Sequence, residues 1–181
     1  MITLTEKQIQ EIKSHMLHKE DALKIKFKGK NVLVYGMGIS GQSACKLLHD
    51  NGACVSFYDD ENRFAGNFAF EKDPLLKKYD YVIVSPGIKV RGNPLISHFL
   101  VSRTPVLSEL DLGYLFTKGN VLAVTGTNGK TTVTSLLGKI FETAGKQTFV
   151  CGNIGLPLST IVDKTDKKSF VVCEVSNFQL E

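Results

Sequence analysis

Short apolar runs recur along the chain, and most of them show no alternation with polar residues. Such runs are typical of strands that are buried on both faces of a parallel sheet. Between them, apolar residues recur at helical spacing, as at Val133, Leu136 and Ile140. Alternating strands and helices predict an α/β fold with parallel sheets. The predicted strands lie at 31–35, 54–58, 81–84, 104–107, 121–124, 147–151 and 170–173.

The first predicted strand runs directly into a glycine-rich segment with the spacing G-x-G-x-x-G. This segment, at 36–41, reads GMGISG, and a helical pattern follows it. The next strand ends at Asp59 and Asp60, close to where a Rossmann unit places its ribose-binding acid. Taken alone, this order favours an NAD-dependent oxidoreductase. The plainer alternative is that the glycines only form a tight turn.

A second glycine loop follows the strand at 121–124 and opens a helix. Backbone N–H groups in such a loop bind phosphate, a lysine reaches the β- and γ-phosphates, and a hydroxyl ligates Mg²⁺. The first glycine of the usual G-x-x-x-x-G-K-[ST] pattern is replaced by Val124. The alternative is a glycine turn before an ordinary surface helix. We predict a nucleoside-triphosphate site formed by Gly126, Thr127, Asn128, Gly129, Lys130, Thr131 and Thr132.

The last predicted strand carries an acid at its carboxyl end. Glu174 follows the run at 170–173. A carboxylate at the tip of a strand near a phosphate loop is suited to holding Mg²⁺ on the nucleotide. The alternative is a surface glutamate at a strand end.

Composition narrows the class of protein. With 43% hydrophobic and 22% charged residues among 181, the chain is typical of a globular protein, and it has no apolar run long enough to cross a bilayer. The N-terminus lacks the apolar core of a signal peptide, which favours a cytoplasmic location. The net charge of +4 is concentrated in the first 30 residues, which argues against a nucleic-acid partner. The four cysteines are predicted to be buried free thiols rather than metal ligands.

Five motifs together resemble the Mur ligases, the ATP-dependent amide-bond-forming enzymes of peptidoglycan synthesis. The resemblance covers residues 29–181, and its last two motifs are most similar to members that join D-glutamate to UDP-N-acetylmuramoyl-L-alanine. It implies a Rossmann-like UDP-substrate domain at 29–117 and a truncated N-terminal part of the ATP-binding central domain at 118–181. Residues 1–28 lie outside it and are predicted to form a helical extension that begins with a capping box at Thr5. The motifs are GMGISG, VSPGI, VTGTNGKTT, GNIGLP and EVSNFQLE.

The resemblance also implies roles for individual residues. Lys130 and Asn153 are expected to be catalytic, and Thr131 and Glu174 to hold Mg²⁺. ATP and Mg²⁺ are the implied cofactors, and the implied reaction proceeds through an acyl phosphate. The full-length enzyme is expected to be a monomer without a membrane partner. The residues expected to bind the UDP substrate are Ile39, Ser40, Asp59, Asp60, Ser85, Pro86, Gly87, Asn153 and Ser176.

The three strands predicted after residue 118 are too few to bury themselves. We therefore expect exposed apolar surface and an open sheet edge in this half, and no ligase activity from the chain by itself. Two alternatives remain. The chain could belong to another Mur-type or folylpolyglutamate-type ligase, since TGTNGKTT alone fits both, or it could be a nucleotide-binding module without catalysis.

Overall fold

A computed structural model describes residues 27–61 and 68–176. The predicted N-terminal helix and the end of the EVSNFQLE motif lie outside these residues. The described chain forms two parallel β-sheets. The strands are β1 (Asn31–Tyr35), β2 (Cys54–Tyr58), β3 (Ala69–Phe70), β4 (Tyr81–Val84), β5 (Val106–Ser108), β6 (Asn120–Val124), β7 (Thr148–Gly152) and β8 (Phe170–Glu174). The helices are α1 (Ile39–Asp50), α2 (Pro94–Val101), α3 (Glu109–Phe116), α4 (Lys130–Thr143) and α5 (Leu158–Ile161).

The first sheet has the strand order β3-β2-β1-β4-β5, with all neighbours parallel. Successive β1 side chains enter different cores. Val32 and Val34 pack with α1 and α3, whereas Leu33 and Tyr35 pack with α2. Both faces are thus covered by helices, and this explains why the strand sequences lack polar alternation.

The second sheet is smaller and has the order β6-β8-β7, again parallel. Its central strand β8 is buried. One face is covered by α5, through Leu158 and Ile161, and by α3, through Leu110 and Tyr114. Helix α4 packs against β7 and β8 on the other face. The fold class predicted from the sequence, α/β with a Rossmann-like sheet followed by part of a phosphate-loop domain, is confirmed.

Helix α4 leaves an apolar stripe uncovered. Val133, Leu136 and Ile140 follow one another at helical spacing and are 45%, 58% and 52% exposed. In the described part of the chain, β6 pairs only with β8 and is therefore an edge strand. The exposure of apolar surface and of a sheet edge expected for this half is confirmed.

Helices α1, α3 and α5 contact one another between the two sheets, through both polar and apolar side chains. The carboxylate of Glu109, at the start of α3, accepts hydrogen bonds from the backbone N–H and the hydroxyl of Ser159 at 2.8 Å and 2.5 Å. The Ser159 hydroxyl also lies 2.8 Å from that of Ser43 on α1. Val162, just after α5, is buried in the same core as α1. Burial raises the pKa of Glu109, although the hydrogen bonds from Ser159 act in the opposite direction.

Some sequence predictions need correction. Cys54 is exposed, unlike Cys45, Cys151 and Cys173, because it is the first residue of β2, and β3 covers that strand only at Ser56 and Phe57. Neither β3 nor α5 is among the elements that the sequence predicts. No helix among the described residues is long and apolar enough to cross a bilayer.

Candidate functional site

The first glycine loop forms a cradle between β1 and α1. Gly36 begins the turn, and α1 starts at Ile39, so the helix N-terminus points its backbone N–H groups into the loop. The cavity measures about 220 Å³. It is lined by Gly36, Gly38, Ile39, Ser40, Ser85, Pro86, Gly87 and Ile88. Of the residues expected to bind the UDP substrate, five therefore surround one cavity at the carboxyl ends of β1 and β4.

Close packing beneath this cradle explains one of its glycines. A Cβ atom at Gly41 would lie 1.8 Å from the carbonyl oxygen of Gly36 and 2.8 Å from the Ser85 hydroxyl. The same hydroxyl donates a hydrogen bond to the Gly36 oxygen at 2.7 Å, and Ser85 is buried. Ser85 thus fastens β4 to the glycine loop, so its side chain supports the cradle from within.

The two acids after β2 have different surroundings. Asp59 is 1% exposed, and its carboxylate accepts hydrogen bonds from the backbone N–H groups of Met37 at 2.7 Å and Glu61 at 3.0 Å. Asp60 is exposed, and its carboxylate accepts a hydrogen bond from the Tyr35 hydroxyl at 2.6 Å. Asp59 therefore shapes the loop, whereas Asp60 faces solvent beside it.

The second loop has the conformation expected of a phosphate cradle. Gly129 precedes α4 with φ at +76°, a left-handed conformation that favours glycine, and the space around its α-carbon is open. Lys130 lies over the loop, where its ammonium donates to the carbonyl oxygen of Gly126 at 2.7 Å. Thr131 and Thr132 are exposed on the first turn of α4. The loop thus brings an ammonium and two hydroxyls to one helix N-terminus.

An acid and an amide lie at the same sheet edge as this loop. The three strands end in register, with Val124 and Gly152 on either side of Glu174. Asn153 donates its side-chain amide to one Glu174 carboxylate oxygen at 2.8 Å, and its backbone N–H binds the Glu174 carbonyl oxygen at 2.9 Å. Glu174 is 1% exposed. The surface-glutamate alternative is therefore wrong.

The other carboxylate oxygen of Glu174 is buried and has no hydrogen-bond partner within residues 27–61 and 68–176. A buried carboxylate oxygen without a donor is suited to a cation. The same residues contain no cluster of three or more His, Cys, Asp or Glu side chains. A hard cation beside Glu174 would take most of its ligands from hydroxyls, phosphates and water. Mg²⁺ is usually bound in this way in proteins. The burial of Glu174 suits this role, and Thr131 carries an exposed hydroxyl on the first turn of α4.

Two residues of the site, Tyr35 and Asn93, were not anticipated from the sequence, and they join Asp60 in one hydrogen-bonded group. Asn153 was predicted as a site residue, but its direct hydrogen bond to Glu174 was not. In the sequence, Asn93 indicates only the start of a helix, and Tyr35 indicates only a buried strand. Ser176, expected to meet the substrate, is half-buried next to the end of the described chain.

Comparison with known proteins shows what the chain is similar to. Residues 124–181 match the Mur ligase middle domain. The relatives described below extend this similarity to Mur ligases over 85–87% of the chain.

The curated relatives are named UDP-N-acetylmuramoylalanine–D-glutamate ligase. The relative from Lachnospira eligens is 39% identical over 85% of this chain, and that from Thermoanaerobacter sp. strain X514 is 36% identical over 87%. The chain spans 37% of the length of each. Among solved structures, a pseudomurein peptide ligase type C from Methanothermus fervidus is similar at 21% identity and a TM-score of 0.41, over 82% of this chain and 33% of that one.

Proposed function

We propose that this chain is part of an ATP-dependent ligase that joins D-glutamate to UDP-N-acetylmuramoyl-L-alanine. The name that the curated relatives share supports this substrate pair. The same relationship favours a UDP-sugar over NAD as the ligand of the first glycine loop. We further propose that the enzyme acts in the cytoplasm as a monomer, with small-molecule substrates and no nucleic-acid or membrane partner.

The observation that carries the proposal is the buried, half-satisfied carboxylate of Glu174 at the edge where the phosphate loop begins. One of its oxygens is held by Asn153, and the other has no donor among the residues that the structure describes. A structural glutamate would be expected to have both oxygens satisfied. This arrangement is suited to Mg²⁺ bound to the phosphates of ATP.

The chain's own residues then have distinct tasks. Lys130 neutralises phosphate charge, and its present contacts with loop carbonyls hold the ammonium at the cradle. Thr131 and Glu174 hold the cation, and Asn153 orients Glu174 while facing the reacting end of the substrate. Ile39, Ser40, Pro86 and Gly87 line the path of the UDP diphosphate, with Ser85 supporting the loop.

When ATP is bound, a carboxylate oxygen of the substrate would attack its γ-phosphorus, which gives an acyl phosphate and releases ADP. The amine of D-glutamate would then attack the acyl carbon, lose a proton and displace inorganic phosphate. Positioning and charge neutralisation provide most of the catalysis in such transfers, so the sequence needs cradles rather than a nucleophile. We propose that the 181-residue chain does not complete this reaction by itself, because it spans only 37% of the relatives' length.

The decisive experiment measures phosphate release by a full-length protein that carries this chain, with ATP, Mg²⁺ and both substrates. Lys130→Ala should lower turnover by about 100-fold or more, because removal of one charge-stabilising group costs roughly 2.7–4 kcal/mol. UDP binding should be unchanged. Lys139→Ala is a matched control, since Lys139 is exposed on the same helix. D-glutamate-independent turnover, or wild-type activity in Lys130→Ala, would contradict the proposal.

A further inference from the structure

Resting on the proposed UDP site, we infer that Asp60, rather than Asp59, is the acid that binds the ribose of the nucleotide, and that Tyr35 and Asn93 position it. In a Rossmann unit the acid at the end of the second strand accepts a hydrogen bond from the ribose. Here two acids follow β2, and only their surroundings distinguish them.

Asp59 has a structural task. Its side chain is buried, and one oxygen binds the N–H of Met37 inside the glycine loop while the other binds the N–H of Glu61. A carboxylate held by two backbone donors fixes the path of both loops. It is also withdrawn from solvent, where a ribose hydroxyl would have to approach.

Asp60 has the complementary arrangement, because it is exposed but anchored. The Tyr35 hydroxyl donates to one carboxylate oxygen at 2.6 Å. Burial, followed by this hydrogen bond, raises the pKa of Tyr35 to about 12, so the hydroxyl remains a donor at neutral pH. Tyr35 therefore fixes a carboxylate that stays open to solvent.

Asn93 connects this group to the framework. Its side-chain oxygen caps α2 by accepting from the N–H groups of Leu95 and Ile96, and its amide nitrogen donates to the Tyr35 hydroxyl at 3.0 Å. The hydroxyl thus receives one hydrogen bond and gives one. A helix cap on one side and a buried strand residue on the other determine its direction toward Asp60.

The location suits a ribose. The backbone N–H of Gly36 donates to the carbonyl oxygen of Tyr58, and that of Met37 donates to Asp59, so the end of β2 that carries Asp60 lies beside the glycine loop that we assign to the diphosphate. In a nucleoside diphosphate the ribose is bonded directly to the phosphate chain. The acid beside the cradle is therefore within reach of the 2′-hydroxyl.

Calorimetric titration of the 181-residue chain with UDP and 2′-deoxy-UDP tests this inference. The wild type should prefer UDP, and Asp60→Asn should weaken UDP binding about 10-fold or more while abolishing the preference, since a hydrogen bond to a charged group contributes about 1.5–3 kcal/mol. Tyr35→Phe should weaken UDP binding roughly 3–10-fold in the same direction. Asn93→Ser keeps a capping oxygen and removes only the amide donor, so it should have a smaller effect of the same kind.

The double variant Tyr35→Phe with Asp60→Asn separates positioning from general damage. If Tyr35 acts through Asp60, the double variant binds UDP no more weakly than Asp60→Asn alone. Tyr79→Phe is the matched control, because it removes a tyrosine hydroxyl from the same buried core as Tyr35 and leaves Asp60 unchanged. Thermal denaturation checks that each variant is folded.

The outcomes are distinct. An Asp60→Asn variant with wild-type UDP affinity, or with an unchanged preference over 2′-deoxy-UDP, would overturn this inference and leave the proposed function standing. Additive losses in the double variant would overturn the positioning role of Tyr35. A wild-type chain that binds neither nucleotide would overturn the UDP site itself.

Discussion

Replacement of Glu174 by glutamine should make the metal-free protein more stable and its nucleotide binding weaker. The substitution preserves the shape of the side chain and the oxygen that accepts from Asn153. It removes a buried charge that has one donor and, among residues 27–61 and 68–176, no second one. These two effects can be measured separately.

The magnitude follows from the burial. Burial of an ion destabilises the folded state by several kcal/mol, and one hydrogen bond to a charged group stabilises it by about 1.5–3 kcal/mol. The neutral amide of glutamine still leaves unmade hydrogen bonds, which cost about 1–3 kcal/mol. The difference predicts a gain of about 1–2 kcal/mol. For a chain of this length that is an increase of roughly 2–8 °C in Tm.

Thermal denaturation in EDTA measures the first effect, and the same experiment with Mg²⁺ and a non-hydrolysable ATP analogue measures the second. Wild-type protein should gain stability from the bound nucleotide, and Glu174→Gln should gain less, because stabilisation by a ligand at fixed concentration rises with the logarithm of its affinity. Glu142→Gln is the control, since Glu142 is exposed on α4 and its change should stay within about 0.5 kcal/mol. A lower Tm for Glu174→Gln in EDTA, or an equal gain from the nucleotide, would refute the reasoning.

Two further predictions concern the framework and the interface between the sheets. Gly41→Ala should destabilise the protein by at least about 1–3 kcal/mol in urea unfolding, because the new methyl group would collide with the Gly36 carbonyl. Gly87→Ala is the control, since Gly87 is exposed and in open space, and it should change stability by about 0.5 kcal/mol or less. Equal losses would show that the close packing is unimportant. Burial raises the pKa of Glu109 above its ordinary value of 4.5, so its protonation favours the folded state; this contribution is present below 4.5 and is lost as the pH rises through the raised pKa. Urea unfolding between about pH 4 and pH 8 should therefore show a smaller decline for Glu109→Gln than for wild type, and parallel curves would contradict it.

The sequence predicts those parts of the fold whose residues are contiguous along the chain. The run at 31–35, the glycines after it and the apolar spacing of α1 are contiguous, so the first strand-loop-helix unit could be predicted from the sequence. The same holds for the loop before Lys130, where the left-handed Gly129 and the helix start are neighbours. The short strand β3 has only two residues and no pattern of its own, because pairing with β2 creates it.

The rest of the site depends on contacts between distant residues. Tyr35 was predictable as a buried strand residue, but its hydroxyl meets Asp60 only when β1 and β2 pair, and Asn93 only when α2 is capped next to them. Glu109 resembled an ordinary acid in the first turn of a helix. Its burial is due to Ser159, which lies 50 positions later and approaches only through tertiary packing.

The packing of Val162 and Ser159 against α1 and α3 has a consequence for how the protein is made. The five strands of the first sheet are complete once Ser108 has been synthesised, but Val162 completes its core and Ser159 supplies the donors to Glu109. At roughly 5–20 residues per second, a ribosome needs about 3–10 s to add those roughly 50 further residues. During that interval the nascent first sheet carries an uncovered apolar gap beside an unpaired carboxylate. Chaperone contact with the emerging chain is therefore expected to end only after the residues of α5 have left the exit tunnel.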